Sequence, residues 1–179
     1  MSRTKRLLRS RLVQAGIALT AVLAVVALAA FEPWKLWVDK TVVEAFPVAP
    51  AAAVEPVPKP SVTELSSGTL LSHEHGTSGT VRVIQLADGT RVLRLENLDT
   101  SNGPDLKVVL SDAPVIPGKA GWQVFDDNEH VKIANLKGNK GSQNYPIPAD
   151  LDLTPLRSVS IWCDRFNVSF GAAELNRSK

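Results

Sequence analysis

The sequence predicts an all-β domain, an antiparallel β-sandwich or barrel-like fold, preceded by one N-terminal transmembrane helix and a Pro-rich linker. An apolar run near the N-terminus, a cluster of prolines after it, and many short alternating apolar and polar segments beyond residue 62 together indicate this architecture. The chain divides into four predicted segments: 1–11, a basic cytoplasmic region; 12–31, a transmembrane signal anchor; 32–61, an interfacial and Pro/Ala-rich linker; and 62–179, the β-sandwich domain.

Composition sets the first limits on function. The 179 residues are 44% hydrophobic and 21% charged, which suits one domain and excludes disorder along the whole chain or a multi-span membrane protein. A single cysteine excludes an intrachain disulfide scaffold and a zinc ribbon. Five basic residues precede Leu12, and since the chain's formal net charge is +2, the remainder sums to −3. We therefore expect no nucleic-acid partner.

The apolar run from Leu12 to Phe31 is long enough to cross a bilayer. All but Gln14, Gly16 and Thr20 of its 20 residues are apolar. As an α-helix with a rise of ~1.5 Å per residue, the run would be ~30 Å long. The apolar run makes the lipid bilayer a predicted partner. The basic residues before it indicate a cytoplasmic N-terminus, so we expect a single-pass protein of the cell membrane whose domain is extracytoplasmic. The tryptophans that follow, Trp34 and Trp37, are typical of the membrane interface.

A cleaved secretory signal is the alternative, because Ala27-Leu28-Ala29 fits a small-residue cleavage pattern. The run exceeds the ~7–15 apolar residues of a signal core, which favours the anchor. Both interpretations place the domain outside the cytoplasm. The five prolines between Phe46 and Ser61 then predict an extended spacer that holds the domain some tens of ångströms from the membrane.

The domain is expected to consist of short strands. An Asp-Gly turn at Asp88-Gly89 joins two alternating runs into a hairpin. The other predicted strands include two in which Val159, Ile161 and Cys163 share one face, and Phe166, Val168 and Phe170 share another. The predicted strands are 80–86, 90–95, 106–110, 131–133, 145–147, 158–163 and 166–170. The residues 137–145 are predicted to form a polar loop, and Trp162, on the opposite face from Cys163, is predicted to pack.

Cys163 is the main candidate for chemistry, since exported proteins usually pair their thiols or lack them. Three interpretations remain open from the residues: a buried core side chain, a redox thiol or cofactor ligand, and an intermolecular disulfide. Asp164 and Arg165 act on the pKa of the thiol in opposite directions.

His73 and His75 would share one side of a strand and could contribute to a metal site, for which His130 and Cys163 are the candidates as further ligands. Solvated or turn-capping histidines are the commoner outcome, so no metal is predicted. The chain has no phosphate-binding loop and no nucleophile–base arrangement. A free-standing enzyme is therefore not expected.

Several motifs in order resemble those of the electron-transfer DM-thirteen domain, found singly in membrane-anchored bacterial proteins and beside DOMON domains in animal ones. The matching stretches are 74–80, 91–95, 100–106, 136–148, 158–163 and 166–173. The resemblance implies a DOMON-related β-sandwich in which Cys163 is the signature thiol, acting bare or as a ligand to a prosthetic group such as haem. His75 also falls on a family position and is the first candidate as a second ligand. Covalent haem is excluded, because no Cys-x-x-Cys-His motif is present.

Two functions follow as expectations. The first is a membrane-tethered redox or electron-transfer domain centred on Cys163, with an unknown redox partner and either haem or no cofactor. The alternative is a non-catalytic binding module that presents the loops at 102–104 and 137–145 while Cys163 only packs. Solvent access to the Cys163 sulfur distinguishes the two.

Overall fold

The computed structural model describes residues 11–47 and 62–178. The predicted basic region up to residue 10 and most of the Pro-rich spacer, residues 48–61, lie outside the described residues. One helix, α1 (Arg11–Phe31), is long and apolar enough to cross a membrane and has no buried residue. A 3₁₀ turn (Pro33–Trp37) follows it. The strands are β1 (Thr41–Val43), β2 (Thr63–Thr69), β3 (Leu71–Ser72), β4 (Ser78–Gln85), β5 (Arg91–Asp99), β6 (Leu106–Ser111), β7 (His130–Asn135), β8 (Lys140–Ile147), β9 (Ser158–Cys163), β10 (Val168–Glu174) and β11 (Asn176–Arg177).

The strands form two sheets that pack face to face. The first sheet has the order β1-β8-β5-β4-β2-β11, and the second has the order β3-β10-β9-β6-β7. Among the strands of the described residues, every pairing is antiparallel except that of β1 with β8, which is parallel. The predicted all-β fold with two mainly antiparallel sheets after one N-terminal apolar helix is confirmed.

The predicted hairpin joins β4 and β5. Gly89 adopts a φ of 84°, and the Asp88 carboxylate accepts a 2.8 Å hydrogen bond from the Thr90 amide. Glycine has no side-chain penalty in this left-handed region, so the turn closes without strain. The local sequence thus suffices to set the pairing of β4 with β5.

The main core lies between the sheets and follows the predicted alternation. Val159, Ile161 and Cys163 of β9 enter it together, as do Leu106, Val108 and Leu110 of β6. Each fully buried aliphatic side chain of this size contributes on the order of 1.5–3 kcal/mol relative to an exposed one.

A second apolar cluster covers the outer face of the second sheet. Trp162 packs there with Phe125 at 6.5 Å between ring centroids, alongside Val109, Ala113 and Ala172. Residues 112–125 form this cover, which explains why β9 is buried on both faces. The packing role predicted for Trp162 is confirmed.

Two local expectations were wrong. Residues 137–145 do not form a loop, because β8 begins at Lys140; the polar side chain of Gln143 is buried and accepts hydrogen bonds from the Gly138 amide and the Tyr145 hydroxyl. Phe166 does not belong to a strand face with Val168 and Phe170. It lies in the turn between β9 and β10 and is 50% exposed.

The described part of the 32–61 segment includes a strand. β1 runs beside β8 with Val42 opposite Gly141, and a Cβ at Gly141 would lie 2.1 Å from the Val42 carbonyl oxygen. Residues 32–40 therefore connect α1 directly to the first sheet. The Pro-rich stretch lies between β1 and β2, two strands of the same sheet, so it does not set the distance from helix to domain as the sequence led us to expect.

Candidate functional site

Cys163 is the last residue of β9 and its side chain is completely buried. It pairs with Leu106 of β6 on one side and with Val168 of β10 on the other. A turn at 164–167 follows it, and the Asp164 amide donates a 3.0 Å hydrogen bond to the Asp105 carbonyl. The sulfur is thus inside the core but directly beneath two surface loops.

Burial raises the pKa of the Cys163 thiol, because a charged sulfur is disfavoured away from water. Backbone hydrogen bonding from Phe166, Arg165 and Asp105 acts against this rise. The thiol is the resting form at neutral pH.

His75 follows β3 and packs against β10. The Glu74 amide before it donates a 3.2 Å hydrogen bond to the Ser169 carbonyl, and the imidazole lies on Phe170 with 4.0 Å between ring centroids. Its Nε2 is 2.5 Å from a Glu74 carboxylate oxygen. These contacts hold His75 to β10, whereas Cys163 belongs to β9, the next strand of the sheet.

A comparison with protein-family models matches residues 69–175 to the family described as electron transfer DM13. The chain belongs to the electron transfer DM13 family. No curated protein and no solved structure matches the chain. The matched range covers the strands from β3 to β10 and contains both Cys163 and His75, whereas α1, β1 and most of β2 precede it.

The DM13 domain does not fit a haem held by Cys163 and His75 in this conformation. Cys163 is completely buried in the main core, to which Val168 and Phe170 also belong. A planar macrocycle would have to displace them to reach the buried sulfur. Among residues 11–47 and 62–178, no group of three or more His, Cys, Asp or Glu side chains could hold a metal ion.

His73 lies on the other face of the second sheet, away from His75. Its Nδ1 is 2.8 Å from the Ser169 hydroxyl, which accepts a hydrogen bond from Ser160, and its Nε2 is buried without a good hydrogen-bond partner. Burial lowers the pKa of His73, while the nearby Ile116 carbonyl acts against that shift. His130 lies at the start of β7, where its Nδ1 is 2.9 Å from the Asn128 carbonyl oxygen, so the three histidines do not meet.

One contact beside the sulfur has no signal in the sequence. Gly103 and Pro104 predict a turn at Asp105, but nothing in the local pattern shows that the Asp105 carbonyl accepts a hydrogen bond from the Asp164 amide, next to Cys163. Two cavities lie at the ends of the sandwich. One of about 500 Å³ is bordered by Lys35, Asp105 and Leu106, and one of about 350 Å³ lies at the opposite end beside Arg91, Asp152 and Arg177.

Proposed function

We propose that this chain is a membrane-tethered, extracytoplasmic DM13 domain whose electron-transfer role is carried by the Cys163 thiol. The observation that carries the proposal is the position of Cys163, within the stretch that matches the electron transfer DM13 family, at the end of β9 and directly before the exposed turn 164–167. A thiol beside such a turn can be uncovered without unfolding the domain, and the thiolate formed there is the nucleophile. The apolar helix α1 supports the tether, and the basic residues before it support the orientation.

Reaction requires the sulfur to be uncovered. The turn 164–167 is the natural place, because Arg165, Phe166 and Asn167 are exposed. The contacts that must break are the hydrogen bond from the Asp164 amide to Asp105, the ion pair of Asp164 with Lys132 and the stacking of Phe166 on Phe31. Local opening of such a turn costs less free energy than unfolding the domain. In the open form water reaches the sulfur, the desolvation that raises its pKa is relieved, and the thiol loses its proton to water.

The electron transfer we propose is thiol–disulfide exchange with a partner disulfide. The Cys163 thiolate attacks one partner sulfur and forms a new S–S bond, while the other partner sulfur leaves as a thiolate with the electron pair of the broken bond. Cys163 is oxidised and the leaving sulfur is reduced. We assign His75 no step, because its contacts are with Phe170 and Glu74 rather than with the sulfur.

The second candidate is a binding module in which Cys163 only packs. The complete burial of Cys163 within the main core favours it. The loop that the sequence analysis offered for binding at 137–145 is mostly strand β8, which leaves the loop at 102–104 as the remaining recognition element of that set.

Thiol reactivity of the full chain in detergent separates the two candidates. The rate of maleimide addition to native Cys163 is compared with that of Arg165→Cys in a Cys163→Ser background, which places a thiol on the exposed part of the same turn. Through local opening, we expect Cys163 to react about 10–1,000-fold more slowly than the exposed control, yet at a rate that mild denaturant scarcely changes. Oxidised glutathione should then give a mixed disulfide that a thiol reverses.

A thiol that reacts only as fast as the whole domain unfolds would refute the redox proposal and leave the binding module. Protein produced in a haem-replete host tests the packing argument separately. A haem absorption band that disappears in Cys163→Ser would overturn our conclusion that the core excludes the macrocycle.

A further inference from the structure

One end of the sandwich lies against the C-terminal end of α1. Strands β5, β7 and β9 end there and β6, β8 and β10 begin there, so the loops 100–105, 136–139 and 164–167 share this end. The opposite end carries the hairpin turn at 86–90 and the segment 148–157. Cys163 is therefore on the helix side of the domain.

Direct contacts join this end to the chain that follows α1. The Phe31 and Phe166 rings stack with 6.1 Å between centroids and an interplanar angle of 14°. The Asn102 side-chain amide donates a 2.9 Å hydrogen bond to the Val38 carbonyl. Lys35 borders the 500 Å³ cavity together with Asp105 and Leu106.

The docking of β1 makes this arrangement rigid. The Lys40 amide donates to the Asn139 side chain at 2.7 Å, and the Lys40 carbonyl accepts from the Lys140 amide. Further along, the Glu44 carboxylate binds the Lys137 ammonium at 2.8 Å. The residues between α1 and β1 are too few and too well held for the domain to move far from the end of the helix.

The exposed side chains at this end combine apolar and cationic groups. Phe31, Trp34 and Phe166 are each about half exposed, at 53%, 47% and 50%. Lys40 and Arg165 are exposed and form no ion pair within residues 11–47 and 62–178. Aromatic rings beside unpaired basic residues are typical of surfaces that lie in the headgroup layer of a bilayer, where anionic lipids attract Lys and Arg.

We propose that the end of the sandwich formed by loops 100–105, 136–139 and 164–167 docks on the anionic headgroup surface of the bilayer that α1 spans. Phe166 and Trp34 lie in the interfacial layer, and Arg165 and Lys40 contact lipid phosphates. The turn that covers Cys163 thus faces the membrane. This inference rests on the proposed membrane tether, but not on the proposed chemistry of Cys163.

Spin labelling of the full chain in vesicles containing one-third anionic phosphatidylglycerol tests the docking. Labels are placed at Phe166→Cys and, with Phe166 intact, at Asn167→Cys, each in a Cys163→Ser background. Asp88→Cys, in the hairpin turn at the opposite end, is the matched control. Label depth is measured from collision rates with oxygen, which concentrates in lipid, and with a water-soluble nickel chelate.

We expect the two labels at 166 and 167 to meet more oxygen and less nickel than the label at 88. Adding Arg165→Glu to the Asn167→Cys variant should lower the docked-to-undocked ratio at least about fivefold, since one basic residue near an anionic surface contributes a factor of that order. Labels on both ends that are equally open to nickel, in chains that float with the vesicles, overturn the docking alone. Chains that do not float with the vesicles overturn the membrane tether and the docking together.

Discussion

Raising the pH above 10 tests the burial of the Tyr145 hydroxyl in β8. Tyr145 is the only tyrosine of the chain, so its ionisation can be followed directly. Its side chain is completely buried, its hydroxyl donates to the Gln143 side-chain oxygen at 2.7 Å, and it accepts from the Lys137 amide at 3.0 Å. Burial raises the pKa of Tyr145 from its ordinary value of 10.0 to about 12. The folded protein should therefore keep this hydroxyl protonated at a pH where an unfolded chain has lost the proton.

The sign and size of the effect follow from linkage. The pKa is higher in the folded state, so this contribution to stability is fully present below pH 10 and is lost as the pH rises towards about 12. A shift of two units corresponds to about 3 kcal/mol. Tyr145→Phe removes this dependence and, near neutral pH, should cost about 1–3 kcal/mol, because the partly buried Lys137 amide loses its acceptor.

Near-ultraviolet absorbance of tyrosinate follows the ionisation of Tyr145 with no interference from another tyrosine. The folded chain is titrated in detergent beside the same chain in denaturant, and tryptophan circular dichroism reports whether the fold persists. We expect the denatured chain to titrate near 10 and the folded chain only near 12 or on unfolding. A folded chain that titrates near 10 while its tryptophan signal is unchanged would refute the burial argument.

Three further predictions concern single side chains. Gly141→Ala should release β1, because a Cβ at this position would lie 2.1 Å from the Val42 carbonyl oxygen and the φ of 98° disfavours a side chain. We expect the free energy of unfolding to fall by about 1–3 kcal/mol. Hydrogen exchange should become faster at the Glu44 amide, which donates to the Ser142 carbonyl of β8. Hydrogen bonding to Lys137 lowers the pKa of Glu44, so the Glu44 carboxylate contributes to stability above pH 4.5, and this contribution is lost as the pH falls through the lower pKa of the folded state. Glu44→Gln should abolish this pH dependence of the hydrogen-exchange rate at the amide of residue 44. Burial lowers the pKa of His73, so the neutral imidazole contributes to stability above pH 6.5, and this contribution falls in mild acid. The difference in melting temperature between wild type and His73→Gln should therefore be smaller at pH 5 than at pH 7. An equal difference at the two pH values would contradict this.

The strands that the sequence predicts well are those with a strong local pattern. β4 and β5 flank an Asp-Gly turn, and β9 alternates along its whole length, so each is recognisable from neighbouring residues. β8 is less visible, because Lys140 to Asn144 are polar or glycine. Their place in the sheet depends on partners about 45–100 residues away, β5 and β1.

The candidate site divides in the same way. The alternation of β9 places Cys163 on the core face, and the structure agrees. No local spacing shows that His75 lies on Phe170 of β10 while Cys163 belongs to β9. The turn after Cys163 is held by the carbonyl of Asp105, 58 positions before Cys163 in the chain, which accepts from the Asp164 amide.

The sequence by itself determines the apolar helix, the all-β class and the face on which Cys163 lies. Each of these depends on the spacing of apolar residues within a single helix or strand, which decides the side that faces water or lipid. Tertiary structure alone decides that β1 docks on Gly141, that residues 32–40 bring the domain to the end of α1, and that Phe166 meets Phe31. These are contacts between segments distant in the chain. Their free energies depend on shape and hydrogen-bond geometry at the point of contact, and neither is present until the two sheets have formed.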